Sequence, residues 1–487
     1  MSDHAPSAPA PRFAVIGHPN KGKSSIVATL AEDDTIAVSP VPGTTRAARR
    51  FALRVDGELL YELVDTPGFQ RARALLAWLK AQETDASERP ALVAAFIEAH
   101  GDDDRFHDER ELLTPLIEGA GILYVVDGAK PYGPEYELEM EVLRWTGQPR
   151  MALINLIGAG DYVEEWRAAL GQYFSIVRVF DAMHADFDKR LDLLRGFAEL
   201  DERFKPALRR AVEVLVEERR SRVRQSAADL ADLLCDVLTF SESAPLPPST
   251  EGGEAETGTL RESLTDRLKS RIRRREDQAR NTIAQRYRHF QLETQDSTAR
   301  LLDTELFARE SWQLFGLSRQ QLLVTGALSG AVAGGGVDLL LGGASLFLGA
   351  GLGAVLGSAG AWLGSEELAR VKVLGARLGG RRLQVGPVQD ANFPYVVLGR
   401  AWRHHQLISE RNHARREALA VDLGQARHQM DQIPADLRRG LARQFGKLGS
   451  EGATAARREA LAEIIEQILA LADLTEPDLT EVNDEHR

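Results

Sequence analysis

Residues 17–25 read GHPNKGKSS, between the apolar run Phe13-Ala14-Val15-Ile16 and the segment Ile26-Val27-Ala28-Thr29-Leu30. The stretch fits G-x-x-x-x-G-K-[ST] with a strand-like run before it and a helix-compatible run after it, the context that a phosphate-binding loop requires. Gly17 and Gly22 let the backbone wrap phosphates with its N–H groups inward, and the following helix adds the positive end of its dipole. Asn20, Lys21 and Ser25 complete the loop. Lys23 is placed to reach β and γ phosphates, and the Ser24 hydroxyl to bind magnesium.

Two more elements follow in the order such a loop needs. Glu58 to Val64 reads as a strand and ends in Asp65-Thr66-Pro67-Gly68. A carboxylate there holds magnesium through a water, and the Gly68 N–H contacts a γ phosphate. Between them lies Pro42-Gly43-Thr44-Thr45-Arg46, a polar, flexible segment with a threonine suited to the same ion. The layout is that of a nucleotide switch, with Lys23, Gly68 and one of the two threonines as its catalytic set.

These motifs resemble the Era-like branch of translation-factor-related GTPases, whose signatures look like G-x-P-N-x-G-K-S, G-T-T-R and D-T-x-G, over residues 12–200. The resemblance implies an α/β P-loop GTPase domain that binds GTP and GDP. It also implies Mg2+ held by Ser24, Asp65 and Thr45, rather than Thr44, and K+ beside the phosphates at Asn20 in place of an arginine finger. Relatives read guanine with N-K-x-D after a strand. Here the strand-like Arg150 to Ile154 ends in Asn155-Leu156-Ile157-Gly158, so the asparagine is present and the lysine and aspartate are not. Asp161 lies three residues late, and the next strand, Ile176 to Phe180, ends in Asp181-Ala182 where serine-alanine is usual. Asn155, Asp181 and Ala182 are the expected base-side residues, and GTP the expected nucleotide. Phe69 stands where small signalling GTPases carry a water-orienting glutamine, and no carboxylate occurs from Phe69 to Gln82. Slow hydrolysis is expected, with no water-orienting residue assigned.

The 487 residues, 44% hydrophobic, allow two or three domains. A single cysteine, Cys235, and an opening MSDHAPSAPAPRF without a basic-then-apolar pattern point to the cytoplasm. A net charge of −12 excludes a protein that is basic overall and leaves room for local basic patches. The expected organisation is a disordered tail at 1–11, the nucleotide domain at 12–203 with a helical insertion at 70–118, and a long helix at 204–240. A Ser/Pro/Gly/Glu-rich disordered linker at 241–258, a helical C-terminal domain at 259–475 and an acidic tail at 476–487 complete it. Arg267 to Arg288 carries nine Lys or Arg against Glu276 and Asp277. Such a helix suits anionic lipid or RNA, or is a face paired to acids elsewhere.

Residues 322–364 are the least ordinary stretch. Of these 43 residues 13 are glycine and the only charge is Asp338. In an exposed helix each glycine costs roughly 1 kcal/mol relative to alanine, so a close neighbour must press on them. Gly326-Gly330-Gly334, Gly349-Gly353-Gly357 and Gly360-Gly364 each recur every fourth residue, which lines one helix face with small residues. Leu339 to Gly364 would span about 39 Å as a helix and Leu322 to Val337 about 24 Å, so a glycine-rich hydrophobic helical hairpin dipping into one leaflet is expected, with a buried hairpin as the competitor. Further on, RRLQVGPVQDANFPYVVLG at 381–399 reads as two β-like runs around a turn. In RAWRHHQLISERNHARR the histidines 405 and 413 are about 12 Å apart along a helix, too far to share a metal, which leaves a basic helix face.

The resulting fold class is an α/β P-loop GTPase domain followed by a mostly α-helical C-terminal domain with that hairpin. The layout resembles bacterial proteins that join an Era-like GTPase domain to a C-terminal domain of unknown function. The leading functional expectation is a GTP-hydrolysing switch that couples nucleotide state to an anionic membrane surface, peripheral to or inserted in the inner membrane. The alternatives are a ribosome- or RNA-associated GTPase and a nucleotide-gated scaffold that scarcely hydrolyses. Homodimerisation on GTP binding is the remaining partner expectation.

Overall fold

The computed structural model describes residues 10–34, 36, 47–82, 85–246, 253–289, 306–307, 309–318, 321–322, 369–376, 380–414 and 429–471. Thr45, the hairpin beyond Leu322 and the tail at 476–487 lie outside the described residues. The chain forms two compact units. The first comprises Met1–Arg220 with Arg288–Leu292 and Glu410–Glu417, and the second Ser221–Tyr287, Glu293–Ser409 and Ala418–Arg487.

In the first unit, β1 (Arg12–Ile16), β2 (Arg49–Val55), β3 (Glu58–Asp65), β4 (Gly121–Asp127), β5 (Arg150–Asn155) and β6 (Ile176–Val179) form a sheet in the order β2-β3-β1-β4-β5-β6. All neighbours run parallel except the β2–β3 hairpin. Alternation along β1 sends Phe13 and Val15 to one core and Ala14 and Ile16 to the other. The first core gathers α1 (Lys23–Ala31), α7 (Phe187–Ala198) and the start of α8 (Lys205–Thr239), through Ile26, Leu194, Leu208 and Leu215. The second gathers α2 (Ala72–Lys80), α3 (Arg89–Ala99), α4 (His107–Ile117), α5 (Glu135–Trp145) and α6 (Val163–Leu170). Every residue of β4 is buried, as a central parallel strand covered on both faces requires. The insertion at 70–118 thus supplies α2, α3 and α4, whose Leu75, Leu79, Phe96 and Leu113 bury one sheet face.

In the second unit, β7 (Glu242–Pro245), β8 (Ala369–Ala376) and β9 (Gly380–Val388) form an antiparallel sheet in the order β7-β9-β8. It accompanies α9 (Gly253–Arg286), α10 (Arg309–Phe315), α11 (Phe393–Ser409), α12 (Ala435–Glu451) and α13 (Ala455–Ala470). Three expectations change here. Within the expected linker, residues 242–245 pair with residues 382–385 and helix α9 begins at Gly253. Composition reads only local chain, and the partner strand lies some 140 residues away in sequence. The second β-like run, from Phe393, is helical: Asp390 accepts the Asn392 N–H, Pro394 falls in the first turn, and residues 393–403 are buried. Burial all round erases the period that separates helix from strand. For the same reason the basic cluster is not a solvated face, since Arg400 is 1% exposed and His404 and His405 are buried.

The charge of Arg400 is met inside. Its Nε donates to Glu276 Oε1 at 2.8 Å, Nη1 to Ser311 Oγ at 2.9 Å, and Arg280 Nη2 reaches the same Glu276 oxygen at 2.8 Å. The two guanidinium groups hold the Glu276 carboxyl below its usual range against the opposing effect of burial. Burial holds the His404 imidazole neutral, pushing it down to about 3. Removing one member of a buried ionic pair strands the other, at a cost of roughly 3–5 kcal/mol. Glu276→Ala is therefore expected to lower stability by that amount in urea denaturation, and Glu276→Leu with Arg400→Met by much less. A single variant as mild as a surface substitution contradicts the pairing.

Candidate functional site

Strand β1 ends at Ile16, and the chain turns through residues 17–22 into α1, whose first residue is Lys23. Asn20 adopts φ +62° and is exposed, while Gly22 adopts φ +79°. A Cβ on Gly22 would lie 2.2 Å from Asn155 Nδ2, so this position is closed to other residues. The Lys23 ammonium curls into the loop and donates to the carbonyls of Gly17 at 3.0 Å and His18 at 3.2 Å.

Parallel pairing of β1 with β3 sets Val15 opposite Asp65, which brings the carboxylate to the mouth of the loop. The Ser24 hydroxyl donates to Asp65 Oδ2 at 2.9 Å. A hydroxyl and a carboxylate facing each other form the hard-oxygen donor set that suits magnesium. Thr66 Oγ1 donates to the Val15 carbonyl at 2.8 Å, and Gly68 lies against Pro19, where a Cβ would come within 2.7 Å of the proline nitrogen. The second switch motif therefore starts in van der Waals contact with the phosphate loop.

On the base side Asn155 is 3% exposed. Its Nδ2 donates to the Lys21 carbonyl at 3.1 Å, and its Oδ1 accepts the Ala182 N–H at 3.1 Å. The amide so ties the phosphate loop to the loop at 181–185. Asp181 serves its own turn, accepting the N–H groups of Met183 and His184 and the His184 Nδ1. Asp161 accepts the Val163 N–H at the start of α6. Gly158 stands where the family aspartate is expected, and the neighbouring Ile157 is 50% exposed.

Three carboxylates escaped sequence reasoning because their partners are distant in the chain. Glu139 on α5 is 3% exposed and takes His18 Nδ1 at 2.9 Å and the Tyr124 hydroxyl at 2.8 Å, a buried acid beside the phosphate loop. Glu109 on α4 is fully buried, and its Oε1 accepts the N–H groups of Gln70 and Arg71. Glu111, two residues on, accepts the Ala48 N–H at 2.8 Å. The inserted helix thus holds the backbone just after the second switch motif and just after the first. Phe69, in the water-orienting position, is 2% exposed in the α2–α6 core.

Burial lowers the Lys23 ammonium to about 8, against the raising effect of Asp65 and Glu139. Phosphate oxygens favour the charged form and raise that pKa on binding. Below pH 8 the ammonium is already charged and binding takes up no proton; above it, binding must restore one. Affinity for a fluorescent guanine nucleotide is expected to be flat below that point and to fall about tenfold per pH unit above it. A flat profile through about pH 9.5 contradicts the lowered pKa of the free Lys23 ammonium.

Comparison with known proteins gives two family matches. Residues 12–156 match the family described as 50S ribosome-binding GTPase, and residues 167–471, more than half of the chain, match a domain of unknown function, DUF3482. The chain is 46% identical over 61 residues to GTPase Der of Agathobacter rectalis, covering 12% of this chain and 14% of that one. It is 30% identical over 217 residues to tRNA modification GTPase MnmE of Nitrosomonas europaea, covering 43% and 46%. A solved structure of Era in complex with MgGDPNP and nucleotides 1506–1542 of 16S ribosomal RNA aligns at 18% identity and a TM-score of 0.28, over 39% of this chain and 56% of that one. The matched stretches span 14% and 46% of the two curated relatives' own length. With its phosphate loop, Asp65 and Asn155 in place, the N-terminal domain is a P-loop GTPase domain, and the chain belongs to the DUF3482 family.

Proposed function

We propose that the chain is a GTP-hydrolysing switch whose DUF3482 region couples nucleotide state to an anionic membrane surface. The observation that carries the nucleotide half is the Asn155 amide, bonded at one end to the phosphate loop and at the other to the loop at 181–185. A nucleoside lying between these loops has its phosphates over Lys23 and Ser24. Lys23 then neutralises β and γ oxygens, and the Gly68 N–H meets the γ phosphate. Ser24, Asp65 and Thr45 would hold magnesium, which supplies charge neutralisation of the phosphates when bound. Asn20, exposed beside the phosphate loop, is the residue proposed for K+. With Phe69 buried, Gln70 and Arg71 stand at the water side with their backbone held by Glu109, and turnover is slow.

The membrane half rests on the sequence of residues 322–364, with their glycine repeat and single charge. Among the described residues no helix is long and apolar enough to cross a membrane. The basic helix α9 contributes less than its charge suggests. Arg271 pairs with Glu242, Arg275 with Asp236 and Arg286 with Asp229. The same pairings weigh against the second reading, a ribosome- or RNA-associated GTPase, which has the description of the matched GTPase family in its favour.

The test is GTP turnover by the purified chain with Mg2+ in K+ or Na+, beside vesicle sedimentation with and without residues 322–364. Turnover should rise in K+ and fall at least about a hundredfold in Lys23→Ala. The full chain should sediment with anionic vesicles and the deletion variant should not. Turnover untouched by Lys23→Ala contradicts the nucleotide half, and co-migration with ribosomal subunits without vesicle binding replaces the membrane half by the ribosomal one.

A further inference from the structure

The GTPase unit contains a piece of chain that its own domain does not supply. Residues 410–417 belong to the first unit although they follow α11, and like residues 167–220 of that unit they lie within the DUF3482 match. Ala414 is fully buried in the core formed by β1, α1 and α7. Asn412 is 7% exposed, and each end of its amide is used. Nδ2 donates to the Ala185 carbonyl at 3.0 Å, while Oδ1 accepts the Ala414 N–H at 2.9 Å and lies 2.7 Å from Thr29 Oγ1. The Thr29 hydroxyl, on α1 directly after the phosphate loop, also lies 2.8 Å from the Ala182 carbonyl and 2.9 Å from the Ser25 carbonyl. One proton is shared among three acceptors, so the four groups form one small network. Next to it, His413 stacks on His289 with centroids 4.3 Å apart, and Arg288 donates to the Arg54 carbonyl at 2.7 Å. Both of those partners also come from the distant segment at 288–292 that joins this unit.

The loop at 181–185 is thereby held from two sides. Asn155 takes the Ala182 N–H from the phosphate-loop side, and Thr29 and Asn412 take the Ala182 and Ala185 carbonyls from the other. Gly158, on the loop after β5, stands where the base-reading aspartate is expected, so the order of the loop at 181–185, rather than a charged contact to the base, must carry more of the binding. We propose that the Asn412–Ala414 turn is a clamp on the base loop, through which a segment of the DUF3482 region sets the rate of guanine nucleotide release. The partner that acts on this clamp is the chain's own C-terminal region. A movement that withdraws Asn412 frees the Ala185 carbonyl and removes one acceptor of the Thr29 hydroxyl, which loosens the base side without touching the phosphate loop.

The proposal rests on reading residues 181–182 as the base loop, and its test separates failure of the clamp from failure of that reading. Hydrogen exchange at the amides of Ala182, Met183 and His184 is followed in the nucleotide-free full-length chain, with β4 amides as internal reference, for wild type, Asn412→Ala and the near-isosteric Thr29→Val. Loss of a buried hydrogen bond is expected to speed exchange at the loop about tenfold while β4 is unchanged. Release of fluorescent GDP from the Mg2+-loaded chain should accelerate by a similar factor. Loop and β4 amides changing together, or neither changing, overturns the clamp whether or not the chain binds GDP. A loosened loop with unchanged GDP release overturns the control of release. If wild type does not bind GDP while the loop loosens selectively, the clamp stands and the base-loop reading falls.

Discussion

The Asn155 amide is the point on which the candidate site depends. It sits at the end of β5, two strands from β1, and satisfies a carbonyl of the phosphate loop and an N–H of the loop at 181–185 at once. A buried amide left half-paired costs about 1–3 kcal/mol, so both loops are drawn to it. Gly22 completes the constraint, because any larger residue would displace the same amide. The parallel register that aligns Val15 with Asp65 then brings the magnesium-type carboxylate to the same loop. Sheet order, loop geometry and donor set follow from one another.

Distant carboxylates and amides also hold loop backbone in place. Glu109 and Glu111 fix the chain next to the two switch motifs from a helix inserted between β3 and β4. Glu139 anchors His18 in the phosphate loop, and Asn412 holds the loop at 181–185. Each of the four reaches across more than 35 residues of sequence. In the proposed switch, the backbone beside both switch motifs is tied to elements that carry no catalytic group. Those elements are the natural places for regulation to act.

The phosphate loop, Asp65, Gly68 and Asn155 were legible in the sequence because backbone chemistry fixes their spacing: glycine where the chain must turn tightly, lysine and serine at the helix start, a carboxylate at a strand end. The parallel strands read from the sequence were legible for a related reason, since a strand such as β5 is buried from Met151 on and reads as one apolar run. What was not legible depends on partners remote in sequence. Residues 242–245 form a strand only because β9 is there to receive them. The run from Phe393 looked β-like because helix α11 is buried on all sides. Arg400 looked like a surface charge until Glu276 and Ser311 closed on it. Asn412 carried no local signal, since a lone asparagine between Arg411 and His413 reads as part of a basic helix face.

The most direct measurement is a titration of the purified chain and of Asn155→Ala with fluorescent GDP and ADP side by side. If the Asn155 amide sets the base pocket without the family aspartate, wild type binds GDP in preference to ADP. The variant then loses about tenfold or more of its GDP affinity, the value of one or two buried hydrogen bonds. Equal binding of GDP and ADP by wild type, or an Asn155→Ala variant that binds GDP as well as wild type does, would contradict the assignment of this pocket to a guanine nucleotide.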